Sequence, residues 1–144
     1  MASVTNNILT IKNAVVKLAN TRTGTPVFTE FSDATQSAIL NLAYETIEFK
    51  PVSGKNQTQV GTVSWTATLE IAQDLAAGSL WNFCLTNHGV AGKIEYYPKG
   101  GTVPKVAGDI IIAAPNAVGG GQGGALTATV TLTFDGPAVV TTEP

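Results

Sequence analysis

The stretch ALTATVTLTF at residues 125–134 alternates without a break. Leu126, Ala128, Val130, Leu132 and Phe134 point to one side of an extended chain, and Thr127, Thr129, Thr131 and Thr133 to the other. Period-two alternation is the pattern of a β-strand with one buried face, and the branched Cβ of threonine suits the pleated surface opposite. VSWTATLEI at 63–71 repeats it, with Val63, Trp65, Ala67, Leu69 and Ile71 inward and Ser64, Thr66, Thr68 and Glu70 outward. These two segments make the chain mainly β. Trp65, Leu69, Leu126, Val130 and Leu132 are the expected core, packed against Trp81 and Leu85.

Shorter strand signals surround this pair. Leu9 and Ile11 alternate, Asn13-Ala14 breaks the phase as a bulge would, and Val16 and Leu18 resume it. Ala38, Leu40, Leu42 and Tyr44 share one parity and Ile47 and Phe49 the other, which predicts a bend near Glu45. Ile94 and Tyr96 mark a strand ending at Pro98, and DIIIAA at 109–114 reads as a buried strand stopped by Pro115-Asn116. One helix is expected, capped by Asp74, beginning at Leu75 and stopped at Asn87-His88-Gly89. Its stripe would be Ala77, Leu80, Trp81, Cys84, Leu85 and His88, with Gly78 inside it costing about 1 kcal/mol relative to alanine.

Two connections stand out. KPVSGKNQTQVG at 50–61 is a polar loop, long for a compact domain, and loops of that length are often functional. NAVGGGQGG at 116–124 reads as a flexible connector. No repeat of fixed period is present.

At 144 residues the sequence fits a single domain, 1–144. It is 44% hydrophobic but only 12% charged, about half the share of an average soluble domain. Ten acids against eight bases leave a net charge of -2, without the basic stripe that a phosphate-neutralising nucleic-acid binder needs. A single cysteine excludes an intrachain disulfide framework. No apolar run reaches the length of a membrane helix, and the N-terminus does not read as a secretory signal. The sequon Asn56-Gln57-Thr58 then reads as chance.

Motifs that resemble chemistry fail their context tests. Gly119, Gly121 and Gly124 match GxGxxG spacing, but a strand follows them where a dinucleotide site needs a helix. Gly54-Lys55-Asn56 lacks the earlier glycine and the Ser/Thr of a phosphate loop. Cys84 and His88 stand four apart on the expected helix, too few for a zinc site and without an orienting group for a nucleophile. Glu45, Glu48, Glu70 and Glu95 are scattered over several strands, and nothing selects a general acid or base among them. Tyr96-Tyr97 before Pro98 suits a strand end better than a sugar-stacking edge. The expectation is no enzyme, no cofactor and no metal.

A strand that offers water a row of threonines has high β propensity and little charge to deter pairing, and soluble monomers guard such edges with lysine, proline or bulges. Lysine is scarce in the two best strands, so ordered self-assembly is expected. From Trp65 to Val140 the sequence resembles the major tail tube protein of long-tailed bacteriophages. The resemblance is carried by SWTATLEIAQD running into LAAGSLWNFCLTNHG, then KIEYYPKGG, GDIIIAAP, the glycine-rich break and ALTATVTLTFDGPAVV. The N-terminal half is similar in layout. The resemblance implies two packed antiparallel sheets, sandwich- or barrel-like, flanked by one α-helix, and a structural virion protein in hexameric rings stacked into a hollow tube. It implies other copies, a tape-measure protein, and terminator and tail-tip proteins as partners, DNA passing through the lumen without specific binding, no membrane partner, assembly in the host cytoplasm and a final place in the virion tail. It also places the 50–61 loop between stacked rings, so Lys50, Ser53, Gly54, Lys55, Asn56, Gln57, Thr58 and Gln59 are the candidate assembly residues. An immunoglobulin-like binding or decoration module is the competing reading, but it needs neither the helix nor the long loop.

Overall fold

The structure, a computed structural model, describes residues 9, 11, 13–101 and 103–142. In chain order the strands are β1 (Val15–Ala19), β2 (Thr29–Glu30), β3 (Thr35–Ala43), β4 (Thr46–Phe49), β5 (Gln57–Val60), β6 (Ser64–Ala72), β7 (Ala91–Tyr97), β8 (Lys105–Ile111), β9 (Thr127–Phe134) and β10 (Val139–Thr141). Helix α1 (Leu80–Thr86) lies between β6 and β7, and a 3-10 turn, Ser32–Ala34, precedes β3.

The two threonine-faced stretches pair with each other. β6 and β9 run antiparallel with Thr66 opposite Thr133, Thr68 opposite Thr131 and Leu69 opposite Val130, so the apolar rows of both strands share one face. β3 joins the other side of β6, with Ile39 opposite Thr68 and Asn41 opposite Thr66. The full order is β2-β1-β7-β8-β9-β6-β3, with β10 also on β8. The layers expected from the sequence are the two halves of this one sheet. β8 and β9 share only the pairs Ile110–Phe134 and Ile111–Thr133, and at this narrow seam the sheet curls over. Val16, Leu18, Ile94 and Ile110 from one half then meet Ala67, Leu69, Ile71, Val130 and Leu132 from the other in a single buried core.

The core differs from expectation at its margins. Leu69, Val130 and Leu132 are fully buried, and Trp65 packs half-buried against them. Leu126 lies before β9 and is 37% exposed, because alternation persists one residue beyond the ladder that would bury it. Leu85 is 48% exposed, and Phe83 supplies the contact in its place, its ring 5.1 Å from that of Phe31.

The helix starts later than expected. Ser79 is its N-cap and accepts a hydrogen bond from the Asn82 amide, so α1 begins at Leu80. Asp74 instead accepts from the Ala76 amide, a local turn that competes with helix formation. Gly78 lies outside the helix at φ +84°, where glycine is an advantage rather than a cost. The stop at 87–89 is where the sequence places it, with Asn87 as C-cap and Gly89 left-handed. Seven residues cannot present the long stripe expected, and only Leu80 and Cys84 are buried.

At the N-terminal side Asn13 takes a left-handed conformation (φ 51°), which breaks the strand phase before β1. Leu9 and Ile11 lie outside any strand and are exposed; their neighbours at 10 and 12 fall outside the described residues.

Candidate assembly surface

β3 and β6 form an antiparallel pair up to Ala43–Ser64, and the chain between them does not close there. It bends at Tyr44-Glu45, as the parity switch predicts, and runs on as a second hairpin, β4 against β5. The bond from the Gly61 amide to the Glu45 carbonyl, at 2.6 Å, ties the base of this arm. The 50–61 segment is therefore not wholly a loop. Residues 57–60 form β5, paired Phe49–Gln57 through Thr46–Val60, and only 50–56 connects the strands. Its strand character escapes the period-two reading because neither face of QTQV is buried, so no apolar alternation marks it.

All the candidate residues fall on this arm. Gln57, Thr58 and Gln59 sit in β5, while Lys50, Ser53, Gly54, Lys55 and Asn56 form its tip, and all are exposed. Gly54 turns the chain at φ +83°, its amide bonded to the Pro51 carbonyl at 3.0 Å. Lys50 meets Glu48 at 3.7 Å, both well exposed, a pair of little consequence for stability.

The sequence reading missed the apolar side of this surface. Every residue from Asn41 to Val60 except Pro51 is exposed, including Leu42, Tyr44, Ile47, Phe49, Val52 and Val60. Ile47 and Phe49 lie on one face of the arm with Gln59 and Gln57 opposite them. An isolated two-stranded hairpin is marginal in water at best, and this one carries apolar side chains that its own domain does not cover. Beside it, β3 closes the sheet order, so among the described residues no strand pairs its outer edge. That edge reads TQSAILNLA, nine residues without a charge or a proline. The signal was present in the sequence as Ile47 and Phe49 on the parity opposite to Leu42 and Tyr44.

Elsewhere the polar groups satisfy one another. Lys93 meets Asp109 at 3.1 Å and Lys105 meets Glu95 at 2.6 Å, a hydrogen bond that raises the Lys105 pKa. Lys17 and Lys105 both lie over the Tyr97 ring, at 5.4 and 5.7 Å. Tyr96 is buried in the core, which removes it from any stacking edge. Cys84 is fully buried, and desolvation pushes its thiol up to about 12, so it is held protonated. His88 is exposed and its Nδ1 accepts the Ala114 amide at 2.9 Å. The glycine-rich connector is pinned by Gln73, which accepts from the Gly119 amide at 2.7 Å and donates to the Thr127 carbonyl at 2.8 Å. Among the described residues no three His, Cys, Asp or Glu side chains gather as a metal site.

No protein-family model and no curated protein matches the sequence. Solved structures do match. A chain of the tail of an empty GTA particle, from helical refinement with C6 symmetry, superposes with a TM-score of 0.64 at 16% identity, over 90% of this chain and 96% of that one. The fold is that of particle-tail chains. A chain of the virion of a native gene transfer agent particle gives 0.61 at 13% identity, over 90% of this chain and 95% of its own. A chain from the sheath/tube terminator structure of an extracellular contractile injection system gives 0.57 at 15% identity, over 96% and 99%. Coverage near the full length of both partners in each comparison means that the curled sheet and helix are shared as a whole, and not one motif of them.

Proposed function

We propose that this chain is a structural subunit of a virion or phage-like tail, self-assembling into rings that stack as a hollow tube. The observation that carries the reading is the fold likeness to chains of tail particles over nine-tenths or more of this chain. The exposed β3 edge and the apolar β4–β5 arm support it, since each is a surface that a second copy would cover. The C6 symmetry in the description of one neighbour favours six copies per ring. In this reading, edge pairing closes the ring and the arm, with Lys50, Lys55 and the 53–59 segment, reaches the next ring. The ends of such a tube would meet terminator and tip proteins, and its lumen a tape-measure protein and then DNA. The subunit would act without catalysis or cofactor, assembled in the host cytoplasm and carried in the tail. Sedimentation of the concentrated chain tests this: association that grows with concentration supports it, and a monomer throughout refutes it.

A further inference from the structure

We propose that the β4–β5 arm of one copy seats on the opposite pole of a copy in the next ring, where an apolar rim around Gln73 adjoins a hollow lined by Glu30, Asp33 and Asp74. This rests on the tube reading above and adds the surface that receives the arm.

The two surfaces lie at opposite ends of one ladder. β3 and β6 pair from Thr35–Ile71 at one end to Ala43–Ser64 at the other, and the arm leaves from the Ala43–Ser64 end. The nine extended residues of β3 set the poles about 30 Å apart. In a stack generated by one repeated rotation and translation each contact is heterologous, so the arm end of every copy meets a different surface of the next.

The pole away from the arm is organised by Gln73, just past β6. Its amide donates to the Leu126 carbonyl at 3.1 Å, and its side chain accepts from the Gly119 amide at 2.7 Å and donates to the Gly119 carbonyl at 3.3 Å. These bonds hold Val118 and Leu126 beside the turn that carries Leu75, and the three are 63%, 37% and 62% exposed. The rim they form is left uncovered by its own domain, as are Ile47, Phe49, Val52 and Val60 on the arm. One contact between the poles removes both apolar surfaces from water.

Charge selects this pairing of surfaces. The hollow beside the rim is lined by Glu30, Asp33 and Asp74, all exposed, with no lysine or arginine in its wall. Glu30 accepts from Ser32 Oγ and Asp74 from the Ala76 amide, both at 3.0 Å, but among the described residues none of the three carboxylates sits in an ion pair. Lys17 stands opposite Glu30 in the ladder, and its ammonium lies instead over the Tyr97 ring. The arm has the reverse balance, with Lys50 and Lys55 at its tip against one carboxylate, Glu48. The face of β7 and β8 offers the arm no such excess, because Lys93 meets Asp109 and Lys105 meets Glu95 there. Exposed pairs add little energy, but like charges set opposite each other repel, so these groups fix which pole meets which.

Cross-linking tests the contact, with buried Cys84 as a silent background. In tubes of the Lys55→Cys/Asp74→Cys variant, a short bis-maleimide should join each copy to those above and below it, giving a ladder of covalent multimers that runs well past the dimer. Lys55→Cys/Asp109→Cys, which moves the second thiol to the ion-paired face, should stay monomeric under the same treatment. No ladder from the first variant, or an equal ladder from the second, overturns the proposal. Charge exchange reads the same contact without thiols. Lys50→Glu/Lys55→Glu and Asp33→Lys/Asp74→Lys should each lower the yield of tubes by an order of magnitude or more, and the four changes combined in one chain should restore it. Full yield from either pair of changes alone, or no recovery in the combined chain, overturns the proposal. If the unmodified chain forms no tubes, the tube reading itself fails, an outcome separate from all of these.

Discussion

The indole of Trp65, at the start of β6, leans on the ring of Phe134, at the end of β9, with centroids 6.1 Å apart and planes tilted by 42°. Phe134 in turn lies so close over Gly108 of β8 that a Cβ there would fall 2.7 Å from its ring. The seam where the sheet curls is thus held by an aromatic pair seated on a glycine. Phe134→Ala should cost about 3–5 kcal/mol, as for buried aromatic truncations, and Trp65→Ala somewhat less because it is only half-buried. Gly108→Ala should destabilise the fold even though it adds a single methyl group. Denaturant titration of the three variants checks the ranking, and an unchanged midpoint for Phe134→Ala would contradict it.

Arg22 fastens the segment after β1 to the same region. Its guanidinium donates to Asp135 at 2.8 Å, to the Ile110 carbonyl at 2.9 Å and to the Gly92 carbonyl at 3.2 Å. Arg22→Ala should cost about 1–3 kcal/mol, because two part-buried carbonyls lose their donor. Asp135→Ala should cost less than about 1 kcal/mol, the carboxylate being largely exposed. Arg22→Lys should recover only part of the loss, since a lysine lacks the planar fork. Thermal melts of the three variants would show this order.

Cys84 predicts an alkaline instability. Its folded pKa, up at about 12 against an ordinary 9.0, means that the unfolded chain releases the thiol proton first as pH rises. Its contribution is therefore complete below pH 9 and is lost between 9 and 12, with a slope approaching about 1.4 kcal/mol per pH unit. Stability measured against pH should fall more steeply for the native chain than for Cys84→Ala in that window. Parallel curves would show that the thiol is not held in the apolar core.

The β4–β5 arm should be dispensable for folding. Replacing residues 46–60 by a two-residue Asn-Gly turn shortens the ribbon at the point where Glu45 and Gly61 already bond. Because the excised residues other than Pro51 are exposed, the melting free energy should change by no more than about 0.5 kcal/mol. Stacking into tubes should be lost, while ring closure through the β3 edge persists. A variant that still forms tubes would remove the arm from the stacking contact and leave the chain termini or the 116–124 segment to make it.

What the sequence made legible follows from burial. β6 and β9 each bury one face, so alternation reveals them with their phase, and the bend at Glu45 shows as a switch of parity. The arm buries neither face, so β5 carries no period and reads as a loop. The helix start was misplaced because Asp74 and Ser79 are both good caps, and the choice between them depends on the packing of Leu80, which no local pattern encodes. The candidate residues at 50–59 were legible as polar and long in span, but the apolar half of the surface was not. Ile47 and Phe49 read only as a switch of strand parity, and it is the hairpin register that leaves both exposed. The unguarded β3 edge is a property of strand order, which a single sequence does not display.

Electron microscopy of the concentrated, unmodified protein decides whether the chain builds a tube. Hollow tubes of stacked rings, with six subunits in each end-on view, are the expected result. Fields of separate particles the size of a 14.8 kDa monomer, at every concentration and salt tried, would contradict it.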